Sequence, residues 1–514
     1  MGKSYYECME EITADELYKG LLAYGLFTEK LPPIFTAEEF CNYTPAQNFT
    51  EPRGGFGYIY FESMRDINIP RSLGIPNPMA YQKLCRFLSD NWDLIKEHFR
   101  KQTEGNGHKI SRIHIRKMKD TDVLFKMNYK NWKTDDSPVP EILVGKKYAV
   151  SADISTCFSS MYTHALGWAL AGKEVAKQNR KQSDWFNKLD HICMNLRNGE
   201  THGFIIGPHA SNLLSEIILT VVDRQLSNNG WEYIRNIDDY TCYVATYEEA
   251  QKFLTELASQ LRAFGLPLNH KKTKIEELPM ASTRHWVRQL NSFDFTSTNG
   301  KVNYKKAQAY LDLAVGLMSE NDNNAAILNY AIKVLAKQKL TENATKYCMQ
   351  TLQHFAVIYP YLIPLLDEHV FRPLGAKRED IEKFANIIFE DALNENNYEA
   401  LTYAIYFSLK YDFDLQAMSV EKAIENDSCL LKCFTWCYYS KREDRIAVRA
   451  LKDHAKQLRE MAMDENWLFV YEALPKSELK GDWKSMKGCT IVKQMDTFFK
   501  YKFIERQNYS CLSR

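Results

Sequence analysis

A pair of acids at the tip of a predicted hairpin is the feature that most constrains how this chain can fold. Two β-rich runs flank Asn236-Ile237-Asp238-Asp239, as expected for antiparallel strands joined by a tight turn. Adjacent carboxylates repel each other and are costly unless cations lie nearby. An Asp-Asp turn on its own is more often a solvated turn, so it predicts a functional site only together with other motifs in order.

A further acid, Asp153, ends an apolar run that begins at Tyr148 and is typical of a β-strand. An acid at a strand end with a turn after it can point into a cleft. Two divalent metals between Asp153 and Asp238 would relieve the repulsion, activate a 3′-hydroxyl and stabilise a departing pyrophosphate. Mg²⁺ binds through one or two carboxylates plus substrate phosphates, so Mg²⁺ is the expected cofactor and Mn²⁺ the alternative.

Two further segments accompany these acids. The glycine-rich stretch 203–211 precedes an amphipathic helix, and its glycines allow the backbone to approach a nucleotide or primer closely. The loop 266–274 follows a helix that ends at Gly265. Its lysines either neutralise a triphosphate or are simply solvated. The fixed order of strand acid, glycine-rich turn, acidic hairpin and basic loop gives each of these weak motifs its weight.

Length and composition set the scale of the organisation. The 514 residues predict roughly three domains of about 150 residues each. With 45% hydrophobic residues, 25% charged residues and a net charge of +1, nucleic-acid binding would need local basic patches. No run approaches about 18 apolar residues, which predicts no membrane span. Twelve scattered cysteines without CxxC pairs indicate a reduced, cytoplasmic setting.

After about residue 300 the β signals stop and helical periodicity takes over. Ile327, Ala331 and Val334 share one predicted helix face, and clusters of Pro and Asn mark the predicted helix ends. Helix pairs of about 30–45 residues predict a solenoid-like stack. An irregular helical bundle is the alternative, because no sharp sequence repeat is visible.

The order of the motifs resembles the palm of reverse transcriptases. The resemblance includes the segment Gly-Leu-x-Leu-Asn-x-x-Lys-Thr at 265–273, which closes the series. Upstream, the segment 70–78 looks like the fingers motif of bacterial reverse transcriptases. The resemblance covers about residues 60 to 290 and implies an α+β fold with fingers and palm.

A narrower resemblance concerns the segment after Asp153. The run 158–165, continuing through Trp168 to Lys173, is similar to the abortive-infection (Abi) reverse transcriptases of the AbiK type, including prophage-borne members. It implies an all-α, HEAT-like C-terminal half and no conventional thumb. The predicted domains are an N-terminal extension packing on the fingers at 1–60, fingers and palm at 61–290, and the helical domain at 300–514.

The same resemblance implies a function in anti-phage abortive infection. It implies protein-primed, template-independent synthesis of DNA from dNTPs, with the single-stranded product attached covalently to the protein. It also implies a homo-oligomer, a phage protein as trigger, and no membrane partner. Two alternatives stay open: a templated RNA-directed DNA polymerase, and a catalytically silent binding protein that uses its helical repeats.

The resemblance assigns roles to individual residues. Asp153 and Asp238 correspond to the catalytic, metal-binding acids, and the carbonyl of Ile154 to a further metal ligand. Asp239 corresponds to a supporting catalytic acid. Phe158, five residues after Asp153, corresponds to a steric gate against the ribose 2′-hydroxyl, with a core aromatic as the alternative. The other predicted nucleotide contacts are Arg71 on the triphosphate, Gly207 in the glycine-rich turn, and Lys272 as a proton donor to pyrophosphate.

A basic run precedes the palm. Arg112, Arg116, Lys117 and Lys119 either line a channel for nucleic acid or form a solvated surface. The priming hydroxyl is not legible from the sequence. Tyr5, Tyr6, Tyr24 and Tyr43 are candidates, as are tyrosines of the helical region and the tail.

Two residues depart from the reverse transcriptase pattern. Asn236 stands where the hairpin usually begins with Tyr, and Ile206 stands where Gln usually precedes the glycine. An apolar residue at 206 removes a hydrogen-bonding group near the paired base. We therefore expect template reading to be weakened.

Overall fold

Three short helices form the N-terminal segment, and the first two begin at capping boxes. The computed structural model describes residues 3–44, 47–65, 69–118, 124–125, 137–179, 181–296 and 300–493. Ser4 and Thr13 each accept a hydrogen bond from the backbone N–H three residues on, where a Glu side chain bonds back to the cap. The helices are α1 (Tyr5–Glu10), α2 (Ala14–Leu22) and α3 (Glu38–Tyr43).

A β-hairpin and two helices follow, which we call the fingers. They are β1 (Tyr58–Met64), β2 (Pro70–Pro76), α4 (Pro78–Asp90) and α5 (Trp92–Thr103). The strands pair antiparallel, and Asn77 caps α4 by accepting hydrogen bonds from the first-turn N–H groups. The N-terminal helices pack on this unit, α2 against α4 and α1 against α5.

The next unit, which we call the palm, combines four strands with the longest buried helix of this part of the chain. Its elements are α6 (Val139–Ile142), β3 (Tyr148–Asp153), α7 (Cys157–Ser160), α8 (His164–Ala171), α9 (Lys173–Gln178), α10 (Trp185–Asn195), α11 (His209–Asn228), β4 (Tyr233–Asn236), β5 (Asp239–Val244), α12 (Tyr247–Ala263) and β6 (Lys274–Glu277).

The palm sheet has the strand order β4-β5-β3-β6, and every neighbouring pair is antiparallel. The strand predicted to end at Asp153 and the hairpin predicted around Asp238 are both confirmed. Alternate residues of β4 and β5 are buried because successive side chains point to opposite faces. One buried face packs on α12, and α11 is buried along most of its length.

The described residues after the palm are helical apart from turns and short bridges. The helices are α13 (His285–Ser292), α14 (Tyr304–Ser319), α15 (Ala326–Leu335), α16 (Glu342–Ile358), α17 (Ile363–Leu366), α18 (Arg372–Leu374), α19 (Arg378–Glu395), α20 (Tyr398–Tyr411), α21 (Val420–Glu425), α22 (Cys429–Lys441), α23 (Arg445–Met461), α24 (Trp467–Ala473) and α25 (Gly481–Met486). 3₁₀ turns lie at Pro360–Leu362, Asp464–Asn466 and Lys476–Glu478.

The helical character predicted for this region is confirmed, whereas the HEAT-like repeat is not. Helix lengths range from 3 residues in α18 to 18 residues in α19. A π-helical turn at Asp367–Phe371 lies between α17 and α18. Short helices and the π turn vary the spacing along the chain, so a regular helix-pair repeat is not evident from the helix bounds and stays a prediction.

Two hydrophobic cores organise the molecule, and the chain crosses between them. The first core contains the N-terminal segment, fingers and palm, and also the late helices α22, α23 and α24. The second contains most of the helices from α14 to α20 together with Ile34. Phe35 bridges them, since its ring lies edge-on to Phe434 at 5.7 Å. The predicted boundaries 1–60, 61–290 and 300–514 stay predictions, because packing continues across residue 300.

Membrane insertion through a helix has no support in the described ranges. None of their helices combines the length and the apolar character that crossing a bilayer requires.

Candidate active site

Three carboxylates converge where β3 meets the β4–β5 hairpin. Asp153 is the last residue of β3 and lies directly opposite Asp239, the first residue of β5. Asp238 occupies the turn, and a carboxylate oxygen from each of the three acids lies within 4.8 Å of the others. No other group of three His, Cys, Asp or Glu residues comes this close in the part of the chain that the structure describes. The fold thus brings together all three acids that the sequence singled out.

The turn that carries Asp238 is tightly held. Asn236 pairs with Asp239, so Ile237 and Asp238 form a two-residue connection. Ile237 has φ +58°, a left-handed conformation that is costly for a β-branched residue. The N–H of Ile154 donates to the carbonyl of Asp238 at 3.1 Å, which ties the turn to β3. Ile154 therefore connects Asp153, its neighbour in the chain, to Asp238, its hydrogen-bond partner. Its carbonyl is the predicted further metal ligand.

Two residues of the loop after α12 bind Asp153 through hydrogen bonds. The backbone N–H of Asn269 donates to the Asp153 carbonyl at 2.8 Å, and its side-chain amide donates to Oδ2 at 2.9 Å. Lys272 Nζ lies 3.2 Å from the same carboxylate. Lys272 was predicted for this site, but Asn269 was not. Its place in the Leu-Asn-x-x-Lys segment was the signal, since an amide side chain three residues before Lys272 can donate to the same carboxylate.

The three acids are poorly compensated. Burial and the charge of Asp153 raise the pKa of Asp238, while Lys272 and Arg71 act in the opposite direction. Partial burial, a hydrogen bond with Asp153 and the charge of Asp238 raise the pKa of Asp239 to about 7. Like charges on directly opposed strand residues are destabilising. A site with three hard oxygen donors and raised carboxyl pKa values fits a divalent cation such as Mg²⁺ or Mn²⁺.

The glycine-rich turn joins the palm to the fingers. The N–H of Gly74 in β2 donates to the carbonyl of Ile206 at 2.9 Å. Gly207 has φ +132°, and a Cβ there would lie 3.1 Å from the carbonyl oxygen of Gly74. Gly207 is therefore required by both its conformation and this close approach. Arg71 is exposed at the start of β2 and opposes the rise in the pKa of Asp238, and its role as a triphosphate contact stays a prediction.

Phe158 lies in the short helix α7 just after Asp153. It is 8% exposed and belongs to the first core, and its carbonyl accepts a hydrogen bond from the N–H of Phe204 at 2.8 Å. Thr156, at φ +47°, makes the reversal that leads into this helix. The contact with Phe204 places Phe158 beside the glycine-rich turn. Its role as a steric gate stays a prediction.

The basic run lies on the outer side of β4. The N–H of Arg112 donates to the carbonyl of Arg235 at 2.8 Å, and Arg116 donates to the carbonyl of Arg112 at 3.0 Å. Lys117 forms an ion pair with Glu16 of α2. Lys119 lies outside the described residues. The charge of Lys117 is thus partly balanced within the protein, and nucleic-acid binding by this run stays a prediction.

A buried ionic cluster beneath the hairpin was not predicted at all. Arg235, in β4, is fully buried and bonds both Glu216 and Asp223 of α11. The signal was available, because Arg235 occupies an inward position two residues after Tyr233 and a buried guanidinium needs acidic partners. Glu216 and Asp223, seven residues apart on one helix face, are those partners.

Three telomerase chains are among the solved structures to which this chain is similar, and no curated protein matches it. Telomerase from Candida tropicalis truncated from its C-terminal domain is 13% identical over 46% of this chain and 53% of its own, with a TM-score of 0.29. Telomerase from Candida albicans in complex with a fragment of telomeric RNA is 10% identical over 80% of this chain and 66% of its own, with a TM-score of 0.28. Apo telomerase from Candida tropicalis is 11% identical over 87% of this chain and 71% of its own, with a TM-score of 0.31. This chain thus spans about half of the first and two thirds of the second.

The family comparison agrees with the site. Residues 108–304 match the family model described as reverse transcriptase (RNA-dependent DNA polymerase). The matched range contains the triad, the glycine-rich turn and Asn269, the residue that donates to Asp153. Residues 108–304 of this chain therefore resemble a reverse transcriptase domain, and the match covers less than half of the chain.

Proposed function

We propose that this protein is a DNA polymerase of the Abi type that makes DNA from dNTPs without a template, on a protein primer, in anti-phage abortive infection. The observation that carries the polymerase activity is the convergence of Asp153, Asp238 and Asp239 within 4.8 Å. Retention of the whole acidic set, with Lys272 and Asn269 on Asp153, disfavours a silent binding protein.

The proposed chemistry is nucleotidyl transfer. Asp153 and Asp238 would hold divalent metal, with Asp239 and the Ile154 carbonyl in support, and the metal would activate the attacking hydroxyl and stabilise the pyrophosphate. Arg71 binds the triphosphate from the fingers, because a planar fork of donors suits phosphate oxygens. Lys272 Nζ, already beside Asp153, holds the proton that the leaving pyrophosphate needs.

Untemplated synthesis is supported by the surroundings of Ile206. Its carbonyl is engaged by Gly74 of the fingers, and its side chain is apolar, so this position offers no side-chain donor or acceptor to a paired base. Replacing Ile206 with Gln should restore a polar group and change nucleotide preference. Unchanged product composition would count against this interpretation.

The arrangement of the C-terminal helices supports the Abi resemblance. Directly after β6, α13 packs with α14 and α15. Farther on, the helices contact the fingers: Glu399 of α20 accepts hydrogen bonds from Ser63 Oγ and the N–H of Met64, both at 2.7 Å. Such a clamp on the fingers hairpin is compatible with an enzyme that has no conventional thumb. The HEAT-like character, the homo-oligomer and a phage protein trigger belong to this proposal.

Burial makes Tyr5 a poor candidate for the priming residue. Tyr5 is 3% exposed, its hydroxyl donates to Glu216, and burial raises its pKa well above the ordinary value. Tyr6 is occupied by Glu10, which is the main reason that its pKa rises to about 12. Tyr162, whose ring is accessible, is a better candidate for the primer.

The decisive experiment uses the purified full chain with Mg²⁺ and dNTPs and no added nucleic acid. We expect a protein band that grows with time and shrinks back after DNase, and mass spectrometry of the digested band then identifies the primed residue. Asp238→Asn should abolish the growth.

A templated polymerase is the second candidate, favoured because the matching family is described as RNA-dependent DNA polymerase. It predicts no growth without nucleic acid and a product that follows an added RNA template. That outcome would replace the untemplated proposal while keeping the catalytic triad.

A further inference from the structure

A fully buried guanidinium lies directly beneath the turn that carries Asp238. Arg235 Nε and Nη2 donate to the carboxylate of Asp223, the shortest contact being 2.6 Å. Nη1 donates to Glu216 Oε1 at 2.7 Å. Both acids are themselves buried on α11, at 4% exposed for Glu216 and 3% for Asp223. The guanidinium is therefore anchored on two sides by a rigid helix.

The same guanidinium reaches the catalytic turn. Arg235 Nη1 donates to the carbonyl of Ile237 at 2.9 Å. Ile237 is the β-branched residue held at φ +58°, a conformation that persists only when surrounding contacts impose it. Together with the Ile154 N–H on the Asp238 carbonyl, this hydrogen bond fixes two consecutive peptides of the turn. The direction of the Asp238 carboxylate thus depends on Arg235.

The cluster extends to the far N-terminus of the chain. The hydroxyl of Tyr5, in α1, donates to Glu216 Oε2 at 2.9 Å. That oxygen also accepts from Arg235 Nη2 at 3.2 Å. Two carboxylates face one guanidinium, so the neutral donors Tyr5 and Tyr233 supply the remaining hydrogen bonds that buried anions need. Removing the Tyr5 hydroxyl would leave Glu216 to be satisfied by Arg235 alone.

We propose that Tyr5, Glu216 and Arg235 form a positioning relay through which the N-terminal helix holds the Ile237-Asp238 turn in its metal-binding geometry. None of the three is a catalytic residue, since each acts on Asp238 through the next. The relay rests on the proposed function in one respect, that Asp153 and Asp238 bind divalent metal. It assigns the N-terminal helix a part in the catalytic site that its distance in sequence conceals.

A structural role alone would make the Tyr5 hydroxyl equivalent to any other buried, hydrogen-bonded tyrosine hydroxyl. Tyr18 offers that match within the same N-terminal segment. Tyr18 is 6% exposed, and its hydroxyl bonds Thr44 and Gln82 rather than the acidic cluster. Tyr5→Phe and Tyr18→Phe each delete one such hydroxyl, and only the first deletes a contact in the relay.

The test measures Mn²⁺ binding by calorimetry on the full chain, which needs no enzymatic activity. We expect Tyr5→Phe to weaken Mn²⁺ affinity about fivefold, as when part of one hydrogen bond to a charged group is lost at the site. Tyr18→Phe should stay within about twofold of the unmodified protein, although both variants lower the thermal midpoint. In polymerisation, Tyr5→Phe should lower kcat and leave KM for dNTP unchanged.

Two further variants keep the outcomes distinct. Arg235→Lys keeps the charge but cannot reach both acids and the Ile237 carbonyl together, so it should weaken Mn²⁺ binding more than Tyr5→Phe does. Equal Mn²⁺ affinities for Tyr5→Phe and Tyr18→Phe would overturn the relay. If Asp238→Asn binds Mn²⁺ as tightly as the unmodified protein, the proposed metal site itself fails, and the relay fails with it.

Discussion

The palm and the helical region each contain a polar cluster around a buried carboxylate. The negative charge of these clusters is balanced to very different degrees. In the palm, Asp153, Asp238 and Asp239 converge, with Lys272 on Asp153. In the helical region, the single carboxylate of Asp367 accepts hydrogen bonds from Lys410 at 2.6 Å, from Tyr411 at 2.6 Å and from Tyr406 at 3.2 Å. One cluster has more negative charge than its partners neutralise, and the other is saturated.

The difference separates a ligand site from a structural one. A buried acid that is paired with a cation and hydrogen-bonded by two hydroxyls needs no bound metal, and it holds its helices together. An undercompensated group of acids lowers the stability of the protein by itself, and such a cost persists where a bound cation offsets it. Glu399 of α20, which bonds the fingers, lies between these two cases. It accepts two hydrogen bonds, but both come from neutral donors that leave its charge unbalanced.

The largest expected effect comes from breaking the palm cluster. Asp238→Asn should reduce nucleotide incorporation at least about a thousandfold, because the metal loses a charged ligand. The thermal midpoint of the metal-free protein should not fall, since the variant relieves carboxylate repulsion. Incorporation assays and thermal unfolding in a chelator measure the two. Incorporation within tenfold of the unmodified rate would refute the assignment of this acid.

The matched change in the helical region should have the opposite profile. Asp367→Asn leaves the Lys410 ammonium without its anion, which costs about 3 kcal/mol of unfolding free energy. Activity per folded molecule should be unchanged, because neither Asp367 nor its partners in α20 belong to the triad. Denaturant unfolding and active-site-normalised rates test both statements. A variant that folds normally but is inactive would erase the distinction between the clusters.

Lys272 tests how far the palm cluster depends on its own cation. Lys272→Met should lower the polymerisation rate by about a hundredfold, the usual loss when a general acid is removed. Its side chain is 58% exposed, so the unfolding free energy should change by less than about 1 kcal/mol. A stability loss larger than the catalytic loss would make Lys272 a structural counterion instead.

Glu399 should show the smallest effect and one that depends on pH. Burial raises the pKa of Glu399 to about 7, above its value in an unfolded chain. The folded state therefore binds the proton more tightly, and stability falls as pH rises from about 4.5 to 7, by at most roughly 3 kcal/mol.

Glu399→Gln removes the titration and keeps both hydrogen bonds, since Ser63 Oγ can accept from the amide. The variant should match the unmodified protein at pH 5 and be more stable at pH 8, as measured by thermal midpoints. A difference between the two proteins that does not change with pH would contradict the prediction.

Local patterns predicted much of the catalytic region. The strand that ends at Asp153 and the hairpin around Asp238 follow from β-rich runs broken by polar residues, and both are observed. The helical character after residue 300 follows from periodicity. The HEAT-like repeat was not confirmed, because a repeat depends on the spacing between helices, which irregular turns such as Asp367–Phe371 change.

Residues that act through a long-range contact could not be predicted in this way. Tyr5 was a candidate primer because it lies near a chain end, yet it is buried against Glu216. Asn269 belongs to a motif that the sequence shows, but its hydrogen bond to the Asp153 carboxylate was not predicted. No periodicity records which distant side chain will meet which, because that pairing depends on how helices and sheet pack.

The sequence by itself determined the elements of this protein and the identity of its three acids, because strand, turn and helix signals are local and carboxylates are scarce inside strands. Only the tertiary structure decided that Asp239 stands opposite Asp153, that Lys272 and Asn269 converge on the same carboxylate, and that α1 reaches beneath the hairpin. Each is a contact between segments far apart along the chain, set by the register and packing of the palm.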